Sequence, residues 1–207
     1  MKNKKTVVIL SLVFVLLLVS AYVLYTQLGQ EQTPDQLLTP QPNQNQAAQD
    51  DAADSSNTSE TPTEETEPQG TKAMDFTVYD AAGNAVKLSD YIGKPIVLNF
   101  WASWCGPCQG EMPDFQEKYL ALGDDVHFLM VNMTGGRETL SSAKSFIEEK
   151  GYTFPVFYDT AYDASNTYSV YSLPTTYFIN AEGYLITYAN GAINAETLQR
   201  GIDMITK

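Results

Sequence analysis

Residues 95–113 read PIVLNFWASWCGPCQGEMP. The opening PIVLNFW is a continuous apolar run with β-branched residues, as in a strand buried on both faces. A helix is expected from Gly106 to about Leu122. Pro107 fits its first turn, where a missing N–H costs nothing, and Pro113 lies well inside and should kink it. Cys105 and Cys108, the only cysteines of the chain, fall where strand passes into helix.

Two cysteines at this spacing have three uses. A structural staple gains stability from the loop it closes, and a loop this short restricts the unfolded chain little. A zinc site takes four Cys or His side chains. Here the two cysteines have one histidine to join them, His127, which is expected near a strand end. The redox use has a positive argument. A thiol just ahead of a helix meets free backbone N–H groups and the positive end of the helix dipole, which favour Cys105 as thiolate. Cys108, one turn in, is placed to resolve a mixed disulfide.

Outward from this stretch, strands and helices alternate. Residues 76–79 and 86–88 flank AAGN and read as a hairpin. A buried strand is expected over 126–133 and a helix over 138–150, with Leu140, Ala143 and Ile147 on one face and Gly151 as its stop. A short strand over 154–158 follows. Residues 175–180 and 184–188 read as a hairpin around AEG, and Asn194 caps a last helix in which Leu198, Ile202 and Ile205 share a face. The pattern is α/β with a mixed sheet.

The 207-residue chain divides into three materials. Lys2, Lys4 and Lys5 precede an uncharged apolar run over 7–24, long enough to span a bilayer core and oriented with its N-terminus inside. Residues 1–28 are therefore expected to be a cytoplasmic tail and transmembrane signal-anchor. A cleaved signal peptide is the competing reading, with its small-residue site at residues 19–21 inside the run. Residues 29–71 hold nine acidic residues and no Lys or Arg, and are expected to be a disordered linker. Residues 72–207 form one domain, in which nine Lys/Arg against sixteen Asp/Glu leave a net charge of −7 and no basic patch for nucleic acid. Asn57-Thr58-Ser59 matches a glycosylation acceptor, a short motif of low specificity.

The motif FWASWCGPC resembles the active-site segment of thioredoxins. Pro113 matches that family's helix kink, and SLPTTYFI at 172–179 is similar to the segment that holds its cis-proline, here Pro174. The resemblance is closer to the membrane-anchored, extracytoplasmic TlpA/ResA-like branch, with an AhpC/TSA-redoxin type domain. The 66 positions from Cys108 to Pro174 leave room for the branch's extra strand–helix unit, over about 134–159. Asn99 stands where cytosolic thioredoxins carry a buried Asp, and Glu111 stands where the branch has a Glu.

The resemblance implies a thioredoxin fold with an N-terminal β-hairpin. It implies Cys105 and Cys108 as the catalytic pair and Glu111 as proton acceptor for Cys108; an exposed glutamate favoured by the helix dipole is the alternative for Glu111. Trp104, Leu173 and Pro174 are the expected substrate-binding residues, the backbone of Leu173 pairing with the client. Tyr162, Tyr168 and Tyr171, read from their place ahead of Pro174, either pack simply or line the same groove. Trp101 and Trp104 are expected to shape the surface around the cysteines, with core packing the alternative for Trp101. No cofactor or metal is expected. The expected activity is reduction of disulfides in exported client proteins by a monomer, with a transmembrane thiol donor of the CcdA/DsbD type. Branch members serve cytochrome c maturation, spore-envelope assembly or surface-protein repair. A disulfide-forming oxidase or isomerase, a metal-delivery module and an inert adhesion domain are the rivals.

Overall fold

The computed structural model describes residues 13, 14, 20, 36–40 and 71–207. The chain separates into two units, Met1–Pro34 and Asp35–Lys207. The apolar run over 7–24 lies outside the described residues but for Val13, Phe14 and Ser20, which are helical. Among the described residues, no helix is long and apolar enough to cross a membrane.

Among its described residues, the second unit is built on one mixed sheet of eight strands. In chain order these are β1 Thr71–Lys72, β2 Thr77–Tyr79, β3 Ala85–Lys87, β4 Ile96–Trp101, β5 His127–Asn132, β6 Val156–Tyr158, β7 Thr175–Ile179 and β8 Tyr184–Asn190. Their spatial order is β1-β8-β7-β4-β5-β6-β2-β3. β4 and β5 run parallel in the middle, and β7 lies antiparallel to β4 on its other side. The helices are α1 Gly106–Leu122, α2 Leu140–Lys150, α3 Asp163–Thr167 and α4 Ala195–Ile205.

All six residues of β4 are buried, as a central strand with both faces covered requires. Its side chains alternate between two cores. Val97 and Trp101 join Met112 and Phe115 of α1 and Leu198 and Ile202 of α4. Ile96, Leu98 and Phe100 join Phe76, Leu88, Ala164 and Tyr177 on the opposite face. The period of two therefore turns Asn99 toward α1, although it is polar and fully buried.

Three local expectations shift. The second helix begins at Leu140, because Thr139 caps it by accepting from the Ser142 N–H at 3.0 Å. Glu138 thus lies in the loop ahead of the helix, and Leu140 is 40 % exposed instead of packed. A short helix, α3, appears where none was expected. The buried Asp159 carboxylate accepts from Ser165 N–H at 2.8 Å and Ala164 N–H at 3.3 Å, capping its first turn. Residues 71–72 form an edge strand on β8, and residues 36–40 also lie on that edge.

Candidate active site

The two cysteines sit where β4 feeds α1. Cys105 is the N-cap residue of α1 in extended conformation, and its Sγ accepts from the Cys108 N–H at 3.3 Å. The pair is joined as a disulfide with Cα atoms 5.3 Å apart. Cys108 is fully buried, whereas Cys105 is 5 % exposed and lines a groove of about 540 Å³. An incoming sulfur therefore meets Cys105 first. The helix N-terminus around Cys105 also stabilises the thiolate that follows reduction.

Glu111, one turn beyond Cys108, is buried. The Ile193 N–H donates to its Oε2 at 3.0 Å, and Asn99 Nδ2 donates to its Oε1 at 2.8 Å. Burial pushes its carboxyl up to about 8; these two hydrogen bonds oppose the shift, and Asp114 adds to it. A carboxyl in that range exchanges protons near neutrality. Asn99 Nδ2 also donates to Thr176 Oγ1 at 3.0 Å, while Asn99 Oδ1 is buried without a partner among the described residues. Rotating the amide would turn Oδ1 toward Glu111 as an acceptor for a protonated carboxyl, and Thr176 Oγ1 can donate as well as accept. Asn99 can thus serve both protonation states of its neighbour without itself titrating.

The groove beside Cys105 is walled by Trp104, Pro107, Met133, Tyr162, Tyr171 and Leu173. The Leu173–Pro174 peptide bond is cis, and Pro174 itself is buried immediately before β7. Trp104 is half exposed and Tyr171 almost wholly so. Tyr162, at φ 56°, occupies the left-handed region ahead of α3. Tyr168 takes the packing alternative. It lies in the core, its hydroxyl donating to the Met74 carbonyl at 3.1 Å. Trp101 is fully buried and packs in the core against Phe146, so it does not shape the surface around the cysteines as expected; of the two tryptophans, Trp104 alone does.

The loop that carries Trp104 is fastened by a second buried carboxylate. Glu138 accepts from the Ser103 N–H at 2.6 Å, from Ser103 Oγ at 2.9 Å and from Ser142 Oγ at 2.8 Å. Its neighbour Arg137 sits over the Trp104 ring, 4.6 Å from the centroid.

Residues 69–188 match the AhpC/TSA family. The chain belongs to that family. Within it, the chain is 39 % identical over 137 residues to the thiol-disulfide oxidoreductase ResA of Geobacillus kaustophilus, spanning 66 % of this chain and 77 % of the relative. Its fold is similar to StoA of Bacillus subtilis, with TM-score 0.56 and 28 % identity over 62 % of this chain and 96 % of that one. It is also similar to the pneumococcal exposed lipoprotein thioredoxin Etrx1 of Streptococcus pneumoniae, with TM-score 0.56 and 32 % identity over 63 % and 98 %. This AhpC/TSA member is accordingly a ResA-like thiol–disulfide oxidoreductase of the thioredoxin superfamily, and its Cys105–Cys108 pair fits the Cys-x-x-Cys motif of that activity.

In this family member the structure brings Trp104, Cys105 and Leu173 together on one groove, with Pro174 following Leu173. Cys108 and Glu111 lie behind them in the core. The sequence reading had not singled out Ser103, Glu138, Thr176 or Ile193. Ser103 carries a faint signal, a polar residue ahead of the cysteines, whereas Glu138 reads as the first residue of the expected helix. Thr176 and Ile193 carried none: one is polar within a strand, and the other acts through its backbone.

Proposed function

We propose that this oxidoreductase reduces disulfides in exported proteins on the outer face of a membrane. The observation that carries the chemistry is Glu111, a buried carboxyl with its proton affinity raised to about 8, one turn beyond the fully buried Cys108. That value lies close to an ordinary thiol's, about 8.5, so a proton passes between the two at little cost.

In the reduced enzyme the Cys105 thiolate attacks one sulfur of a client disulfide. The client S–S bond breaks, a mixed disulfide forms, and the departing client thiolate takes a proton from solvent. Cys108 then gives its proton to the Glu111 carboxylate, and its thiolate attacks the Cys105 sulfur. The bond between Cys105 and the client breaks, and the second client sulfur leaves as a thiolate that takes a proton from solvent. The client gains two electrons and two protons, and the enzyme ends with the Cys105–Cys108 disulfide. Trp104, Leu173 and Pro174 hold the client segment in the groove.

Two sequence features support the reducing direction and the location. Gly106-Pro107 is the dipeptide of thioredoxin, whose potential is about −270 mV, and no cation lies between the cysteines to push the pair toward the roughly −120 mV of DsbA. The lysines and apolar run over 2–24 support an anchor with the domain outside. An exposed lipoprotein stands among the structural relatives. A transmembrane thiol donor of the CcdA/DsbD type would return the enzyme to the dithiol.

Trapping tests the mechanism. Cys108→Ala should leave client protein covalently bound to Cys105, released by dithiothreitol. Absence of any such adduct across redox conditions rejects the scheme. Redox titration tests direction, since a potential above about −150 mV would assign the protein to disulfide formation.

A further inference from the structure

Within residues 29–71 the sequence offers a single aliphatic pair, Leu37-Leu38; the remaining apolar residues there are four alanines. The structure sets that pair on the sheet. The Leu38 N–H donates to the Tyr188 carbonyl at 2.7 Å, and the Tyr188 N–H donates back to the Leu38 carbonyl at 3.0 Å. Thr187 Oγ1 donates to the same Leu38 carbonyl at 2.9 Å. Leu37 is half-buried against the core that contains Cys105, Cys108 and Ile193.

The pairing is antiparallel, and so is that of β1 on the same strand, with Thr71 opposite Leu185 and Lys72 opposite Tyr184. Continuing the Leu38–Tyr188 register puts Pro40 opposite Ile186, next to the position that Thr71 faces. Residues 36–40 and 71–72 therefore lie end to end on one edge of β8, although 30 residues separate them in sequence. Pro40 has no N–H to donate, which suits the end of such a pairing on an edge.

We propose that the outer edge of β8 over residues 186–190 is a strand-addition site for the chain's own segment 36–40, and that docking there moves the domain's point of attachment from residue 71 to residue 36. One aliphatic side chain and two main-chain hydrogen bonds make a weak contact. It is held by the millimolar local concentration that a short intramolecular linker provides, so it opens and closes. The consequence rests on the membrane reading above. With 29–71 read as coil, the tether spans about 35 Å when the segment is free and about 15 Å when only residues 29–35 remain outside the contact. The docked form keeps the domain on the shorter tether, within the range of a membrane-embedded thiol donor. The released form reaches clients farther out.

The full chain is tested in phosphatidylcholine vesicles that contain dansyl-labelled phosphatidylethanolamine. Leu37→Asp removes the apolar anchor, and Leu38→Pro removes the donor to Tyr188. In both variants hydrogen exchange at the Tyr188 amide is expected to quicken by at least ~10-fold. Reduction of Cys105–Cys108 by dithiothreitol stays unchanged. Energy transfer from Trp101 and Trp104 to the dansyl lipid is expected to fall. Unchanged exchange at Tyr188 in both variants overturns the docking site. Faster exchange with unchanged energy transfer overturns the shortening of the tether. Failure of the wild-type chain to bind vesicles would instead reject the anchor, while the exchange measurement still decides the docking.

Discussion

The backbone N–H of Ile193 reaches Oε2 of Glu111 at 3.0 Å, joining residues 82 positions apart in sequence. This bond, with that from Asn99, keeps a buried carboxyl satisfied beside the redox pair. It also makes the proton affinity of Glu111 depend on the turn that precedes α4.

Glu111 should therefore write its titration into stability. Its carboxyl binds a proton more tightly in the folded protein, at about 8, than its ordinary value of 4.5. The favourable contribution is complete below 4.5 and is lost as pH rises toward 8. Glu111→Gln does not titrate. The oxidised variant is expected to match wild type at pH 4 and to exceed it by about 3 kcal/mol at pH 7, rising to about 4 kcal/mol at pH 8. Denaturant unfolding across this range checks it, and a difference that does not grow with pH contradicts the buried-acid assignment. In single-turnover kinetics, the attack of Cys108 on a mixed disulfide should gain rate with pH around 8 in wild type and lose that dependence in the variant.

Glu138 is expected to matter beyond its distance from the sulfurs. Glu138→Ala leaves the Ser103 N–H and hydroxyl without their acceptor. A loss of about 2–3 kcal/mol is expected, together with a red shift of Trp104 emission as its loop loosens. Glu138→Gln keeps one acceptor oxygen and should recover part of both. Urea unfolding and steady-state fluorescence report the two effects separately.

Gly135 lines the groove with Cys105. It has φ +154°, and a Cβ built there would fall on the Tyr162 hydroxyl. Gly135→Ala is expected to push Tyr162 aside and reshape one wall of the groove. Client reduction should show KM raised several-fold, while reduction of the enzyme's own disulfide by dithiothreitol changes little. An equal loss in both reactions would mean that the disulfide itself had been disturbed.

Gly201 lets α4 lie directly on β7, since an added Cβ would overlap the Phe178 ring. Gly201→Ala is expected to destabilise the domain by about 1–3 kcal/mol through overpacking, despite alanine's better helix propensity. Thermal unfolding measures it. A stabilised variant would show that α4 can move away from the sheet.

Several features follow from local order along the chain alone. The apolar run of β4, the proline in the first turn of α1 and the Cys-Gly-Pro-Cys spacing fix a strand, a helix and a reactive pair between them, because each follows from residues only a few positions apart. Asn194 as the cap of α4 and Gly151 at the end of α2 were legible for the same reason. Tertiary structure decided what depends on meeting across the chain. Glu111 could have been a solvated acid near a helix N-terminus; its burial comes from α4 and the turn at Ile193 closing over it. Glu138 looked like a first-turn helix residue until Thr139 took the cap and freed its carboxylate for Ser103. Tyr168 could have lined the groove or packed; the rings of Phe76, Phe100 and Tyr177 and the Met74 carbonyl hold it in the core. Composition likewise assigned 36–40 to the linker, whereas the edge of β8 offered two unpaired backbone groups and a place for Leu37. Hydrogen-bond partners and apolar cover supplied from distant positions set proton affinity, burial and docking, and no local pattern encodes them.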